Sequence, residues 1–233
     1  MPQPHPRRIA TVSALVVLLA GGAIFAGMTL GGGEQPSADP GSQISGQSEA
    51  GARDTDRAMP SVAGSAFQSV ASDPAVQAQL DYAMTYWSDY NTDEYGVLDG
   101  NDCVNFTSQS LIERGWQMDE DWWTEGTGAD FDFSSPWVSS TSFRDYLDES
   151  GRASALSDEQ RDQVKLGDVV QFDWDNSGDR DHTGIVTGIE RSGDDITIYF
   201  AGHTDDSDYR SVDDAITVDH PGGTAYYWSI PES

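Results

Sequence analysis

Cys103 is the only cysteine in the 233 residues, so it cannot form a disulfide within one chain. It lies in Gly100-Asn101-Asp102-Cys103-Val104-Asn105-Phe106, where a glycine and two N-cap formers precede a run with apolar residues at Phe106, Leu111 and Ile112. That order predicts a turn that delivers Cys103 into the first turn of a helix, which Gly115 then ends. The partial positive charge of a helix N-terminus favours a thiolate over a thiol. Backbone N–H groups left free there can receive an oxyanion. A small buried hydrophobe would occupy the same position, because free cysteine is among the most buried residue types. The histidines decide between the two readings.

There are four histidines. His5 precedes a long apolar run, and His220 stands beside the turn Pro221-Gly222-Gly223, where exposure is expected. His182 opens one expected strand, at residues 183–189, and His203 closes the next, at 196–201. Gly193-Asp194 marks the hairpin turn between them. Hairpin pairing would bring both rings to one edge of a sheet. A cysteine at a helix N-terminus facing such a pair has the parts of a papain-like site: a nucleophile, a general base and an orienting third residue. The thiolate would attack an amide carbonyl. One of the two rings would protonate the leaving amine and then activate water. The Cys103 N–H is the expected oxyanion donor, with Asn101 or Asp102 as candidates to assist.

These elements imply an architecture. Asp73-Pro74 opens an expected helix to about residue 90, with Val76, Leu80, Ala83, Met84 and Trp87 at helical spacing. Residues 116–138 are aromatic and acidic without a period, which reads as an irregular segment over a cleft. Trp122 and Trp123 there suit stacking on sugars or peptides, or a place in the core. A short helix at 140–150 ends at Gly151. Strands are expected at 169–172, 183–189, 196–201, 215–218 and 225–230. Helices first and antiparallel strands after give an α+β fold, with the helices packed on one face of a curved sheet.

Four segments carry a family resemblance: Asp102 to Gln109, Gly167 to Asp173, Asp181 to Thr187, and His203-Thr204-Asp205. Together they resemble the bacterial amidase domain family, which is similar to the papain-like cell-wall cysteine hydrolases of the NlpC and CHAP type. The resemblance covers about residues 74–230. It implies that Cys103 is the nucleophile, His182 the base and His203 the third polar residue. It implies motif support from Asn105, Ser108 and Gln109, which are expected to hold the helix. It implies peptidoglycan or another cell-wall peptide as the substrate. The rival reading is a catalytically silent domain that keeps the fold and only binds. Acyl transfer to an amine would use the same residues.

The rest of the chain bounds this picture. A formal net charge of -28 disfavours binding to nucleic-acid phosphates. Arg7 and Arg8 precede an uncharged run at residues 9–30, the pattern of a membrane anchor or signal segment. Residues 31–72, rich in Gly, Ser, Pro and acidic side chains, read as a linker, and 73–233 as the folded domain. An extracytoplasmic, anchored or secreted enzyme is the expectation. Asp173, Asp175, Ser177, Asp179 and Asp181 place oxygen ligands at the spacing of a calcium loop, with Gly178 at its sixth position. Gly184 stands where the bidentate glutamate would be. No cofactor is required by the cysteine chemistry, and Ca²⁺ is the one candidate ion.

Overall fold

The computed structural model describes residues 65–232. The expected apolar span at 9–30 and most of the linker lie outside these residues. Among the described residues no helix is long and apolar enough to cross a membrane.

Two helices come first. Helix α1, Pro74–Tyr86, begins as its sequence dictates: Asp73 Oδ1 accepts the N–H groups of Ala75 and Val76 at 2.8 and 3.1 Å, and Pro74 takes the first position. Helix α2, Cys103–Glu113, is buried without a break from Cys103 to Leu111. A helix covered on all sides must satisfy its polar side chains internally. Asn105 Nδ2 donates to Gly96 O and Asp102 Oδ1, both at 2.8 Å, and Asn105 Oδ1 accepts Trp137 Nε1 at 2.7 Å. Thr107 and Ser110 bond backbone carbonyls one turn back. Ser108 Oγ donates to Trp137 O and accepts Trp122 Nε1. Gln109 Oε1 accepts the Tyr82 hydroxyl at 2.7 Å. These residues hold α2 among its neighbours.

The irregular segment contains a small hairpin, β2 (Thr124–Glu125) with β3 (Asp132–Phe133), and a helical turn, α3 (Ser135–Val138). Trp122 is a core residue with no exposed surface, so it does not stack on a ligand; Trp123 is half-buried. Helix α4, Ser140–Ser150, ends at Gly151 with φ 65°, the left-handed stop that glycine adopts freely.

The strands complete one open sheet. Strand β1 is Ala66–Gln68, β4 Ser154–Ser157, β5 Val169–Asp173, β6 His182–Ser192, β7 Asp195–Gly202, β8 Ser207–Ser211 and β9 Thr224–Ser229. Their order is β4-β9-β5-β6-β7-β8, and β1 pairs with the far end of β6. All pairings are antiparallel, so the fold is α+β. A curved sheet is the expectation; the sheet is open and not strongly curled.

Three further differences from expectation have local causes. Residues 215–218 are not a strand. They follow the turn α5, Val212–Asp214, as a π-helical turn, Ala215–Asp219, closed by His220 N–H on Ala215 O. Ser211 Oγ caps this run on Asp214 N, so the chain is already helical when it reaches the β-branched residues. Helix α1 stops at Tyr86 rather than near residue 90. Ordered chain also begins before residue 73, because β1 gains a partner in β6.

Candidate active site

Cys103 is the first residue of α2 and is 1% exposed. Its sulfur lies 3.7 Å from Ser140 Oγ, and Ser140 is the first residue of α4. Two eleven-residue helices thus bring their N-termini together at the sulfur. Burial pushes the Cys103 thiol above its ordinary range. The Ser140 hydroxyl and the N–H groups of Thr183 and Val104 pull it the other way, and the Asp102 carboxylate adds to the rise.

Asp102 and His203 form a buried pair beside the cysteine. His203 Nδ1 donates to Asp102 Oδ2 at 2.6 Å, with both side chains almost wholly buried. The other Asp102 oxygen accepts Leu98 N–H and Asn105 Nδ2. His203 Nε2 lies 2.8 Å from Tyr86 O. Both ring nitrogens therefore face acceptors, a carboxylate on one side and a backbone carbonyl on the other. It is held flat between Tyr90 and Phe106, with ring centroids 3.7 and 4.0 Å away. Thr204 follows at φ 83°, a left-handed conformation rare for a β-branched residue. Its hydroxyl accepts Asp102 N–H at 3.1 Å, which ties the strained turn to the helix start.

The structure divides the three expected catalytic residues. His182 and His203 do reach one end of the β6–β7 pair: a Cβ built on Gly202 would lie 3.3 Å from His182 Nε2. Their side chains take opposite faces, however. Gln171 stands opposite Thr183 and Phe172 opposite His182, and directly opposed residues share a face. Thr183 bonds Gln171 and Ser140 on the Cys103 side. His182 lies instead among Phe172, Trp174 and Phe200, with centroids 6.0 to 6.1 Å away. The expected Cys103–His182 pair is therefore not made, and His203 is the histidine on the cysteine's side. His220 is not simply exposed; it stacks on Trp174 at 4.0 Å. Asn101 is exposed, and the Asp102 carboxylate is occupied by His203, Leu98 and Asn105.

His182 Nε2 is buried without a hydrogen-bond partner. Burial pushes the ring down from 6.5 to about 4, and Arg210 and His220 act in the same direction against Asp205. The fold thus favours the neutral ring, and the unfolded chain binds the extra proton between pH 6.5 and about 4. Stability from this group is present above that window and is lost on acidification through it, by up to about 3 kcal/mol. Asp168, raised by burial to about 6, gives the opposite slope over part of the same range. The His182 contribution is therefore read as a difference. Urea unfolding at neutral and acidic pH should show a larger acid loss in the wild type than in His182→Phe. Equal losses would refute it.

The acidic loop brings four carboxylates together. Carboxylate oxygens of Asp173, Asp175, Asp179 and Asp181 all lie within 4.8 Å of one another. Asp173 is buried and accepts the N–H groups of Ser177 and Gly178 at 3.1 and 2.9 Å. Ser177 Oγ donates to Asp179, and Asp181 Oδ2 accepts Trp174 N–H. The Arg180 guanidinium, stacked on Tyr226, stands 3.8 Å from Asp173 Oδ2 and partly neutralises the cluster.

No curated protein and no solved structure matches this chain. A family model described as "Putative amidase domain" matches residues 74–228, from the first residue of α1 nearly to the end of β9. That stretch contains Cys103, Ser140, His182 and His203, and covers most of the chain; the protein belongs to this amidase domain family, whose description points to amide-bond hydrolysis.

Proposed function

We propose that the protein hydrolyses amide bonds in cell-wall peptides through a Cys103 acyl-enzyme, in a papain-like manner. The observation that carries this reading is the sulfur at the meeting of two helix N-termini, one residue from a buried histidine–carboxylate pair. The Cys103 thiol passes its proton to the His203 ring, and the resulting thiolate attacks the amide carbon. The C–N bond breaks, and His203 gives its Nε2 proton to the leaving amine in place of Tyr86 O. Water then loses a proton to the neutral ring and attacks the thioester, which releases the acid and restores the thiolate. Asp102 keeps the ring oriented throughout. The Cys103 N–H, at the first position of α2, suits the oxyanion.

The histidine assignment departs from the sequence expectation, in which His182 is the base. One observation favours His182: its Nε2 is free of partners, whereas both nitrogens of His203 are engaged. Variants of each residue separate the two. A silent binding domain is favoured by the closure of Cys103, at 1% exposure. Purified peptidoglycan incubated with the full-length protein tests catalysis: new amino groups should appear in solution. Binding to the wall without release of amino groups would support the silent domain. Incorporation of an added amine would support acyl transfer.

Residues 9–30 suit an anchor or signal segment that carries the enzyme outside the cytoplasm, where its substrate lies. Ca²⁺ in the acidic loop, held by Asp173, Asp175, Ser177, Asp179 and Asp181, belongs to the same proposal as a structural ion. About 10 mM CaCl₂ should raise the melting temperature of the wild type by a few degrees and leave Asp173→Asn unmoved. Equal behaviour of the two would remove the ion from the account.

A further inference from the structure

We infer that Trp228, Gln171, Thr183 and Ser140 form a one-directional hydrogen-bond relay that ends on the Cys103 sulfur and holds it as an acceptor. All four are thereby positioning residues for the proposed nucleophile. The functional meaning rests on the reading of Cys103 above; the relay itself does not.

One fixed donor sets the direction. An indole N–H can only donate, so Trp228 Nε1, 2.9 Å from Gln171 Oε1, fixes which end of that amide is oxygen. Gln171 Nε2 then spends its two hydrogens on Ser140 O at 2.8 Å and Thr183 Oγ1 at 3.1 Å. Thr183 Oγ1, already an acceptor, turns its own hydrogen to Ser140 Oγ at 2.9 Å. Ser140 Oγ accepts that bond and directs its hydrogen to Cys103 Sγ at 3.7 Å. In the reverse order Thr183 Oγ1 would accept from both Gln171 and Ser140, which leaves its own hydrogen without an acceptor among these groups. Gln171 and Thr183 have no exposed surface, and Ser140 and Trp228 are buried. In so dry a place every donor needs its acceptor, and each bond polarises the next.

The relay acts against a known opposition. Burial disfavours the thiolate, and the charged group bearing on the sulfur is Asp102, itself offset by His203. Helix α4 and strands β5 and β6 present neutral groups: Ser140, Gln171 and Thr183. The N–H groups of Thr183 and Val104 also favour the thiolate. A hydroxyl donor polarised by three bonds behind it adds to them.

The test is the pH midpoint of thiolate ultraviolet absorbance in the full-length protein, with Cys103→Ala as the blank. This readout needs neither substrate nor access to the sulfur. Ser140→Ala and Thr183→Val should each raise the midpoint by about one pH unit, a tenfold loss of thiolate at neutral pH. Thr183→Ser, which keeps the donor, should restore it. Trp228→Phe should shift it the same way by less. Melting temperature and near-ultraviolet circular dichroism identify any variant that fails to fold, and Ser140→Ala, at a helix start, is the mildest of the set. Unmoved midpoints in folded Ser140→Ala and Thr183→Val overturn the relay. A shift that Thr183→Ser does not restore also overturns it. If midpoints move as expected while Cys103→Ala still hydrolyses wall peptides, the relay stands and the nucleophile assignment fails. If Cys103→Ala is inactive and the midpoints stay fixed, the relay alone is wrong.

Discussion

Cys103→Ala should lose amide hydrolysis by about 10⁴-fold or more, the scale on which enzymes lose turnover when a nucleophile is removed. The folded state should survive the change. The alanine leaves the backbone of α2 and its polar contacts at Asn105, Ser108 and Gln109 in place. The small cavity left by the sulfur should cost about 1 kcal/mol, or a few degrees in melting temperature. A large activity loss with a small stability loss is the signature of a nucleophile. The opposite pattern, modest activity loss with marked destabilisation, would belong to a buried core cysteine. Release of amino groups from peptidoglycan and thermal melts of the same preparations give both numbers.

His203 should behave differently, because its ring serves both the fold and the reaction. His203→Ala leaves the buried Asp102 carboxylate without its histidine partner and opens a gap between Tyr90 and Phe106. Breaking one side of a buried pair costs about 3–5 kcal/mol, which for a domain of this size lowers the melting temperature by roughly 6–20 °C. His203→Gln separates the two roles. Its amide can still donate to Asp102, so much of the stability should return. Proton transfer cannot, so hydrolysis should stay about 10²- to 10⁴-fold down. If His203→Gln is active, and a folded His182 variant is not, the proton-transfer group lies across the sheet and the assignment reverts to His182.

The sequence reading and the structure agree where a local signal was decisive. Asp73-Pro74 caps α1, Gly151 stops α4, and Gly193 turns the β6–β7 hairpin because each residue type meets a specific backbone need. Placement of Cys103 at the first position of α2 followed from the same kind of signal. The facing of His182 did not. From His182 to Ile189 every residue of β6 is buried, so no alternation of polar and apolar residues marks which side meets α2. A shift of one residue exchanges His182 with Thr183, and only pairing with β5 fixes it. The Asp102–His203 pair was missed for a related reason. Asp102 reads as a helix cap, and its carboxylate makes no capping bond because it is spent on His203, Leu98 and Asn105. The relay through Ser140, Gln171 and Thr183 unites residues from α4, β5 and β6, and no spacing in the chain announces it.

The central claim is a covalent bond between substrate and Cys103, and the most direct measurement is to find it. Full-length wild-type protein and its His203→Gln variant are incubated with purified wall peptides and quenched rapidly in acid: the wild type should carry an acyl adduct on the peptide containing Cys103, and the variant, which lacks the proton donor for the leaving amine, should carry less. Mass spectrometry of the digest would locate the adduct. Turnover of the same peptides by the wild type, with no adduct on Cys103 in either protein and undiminished hydrolysis by Cys103→Ala, would contradict the account.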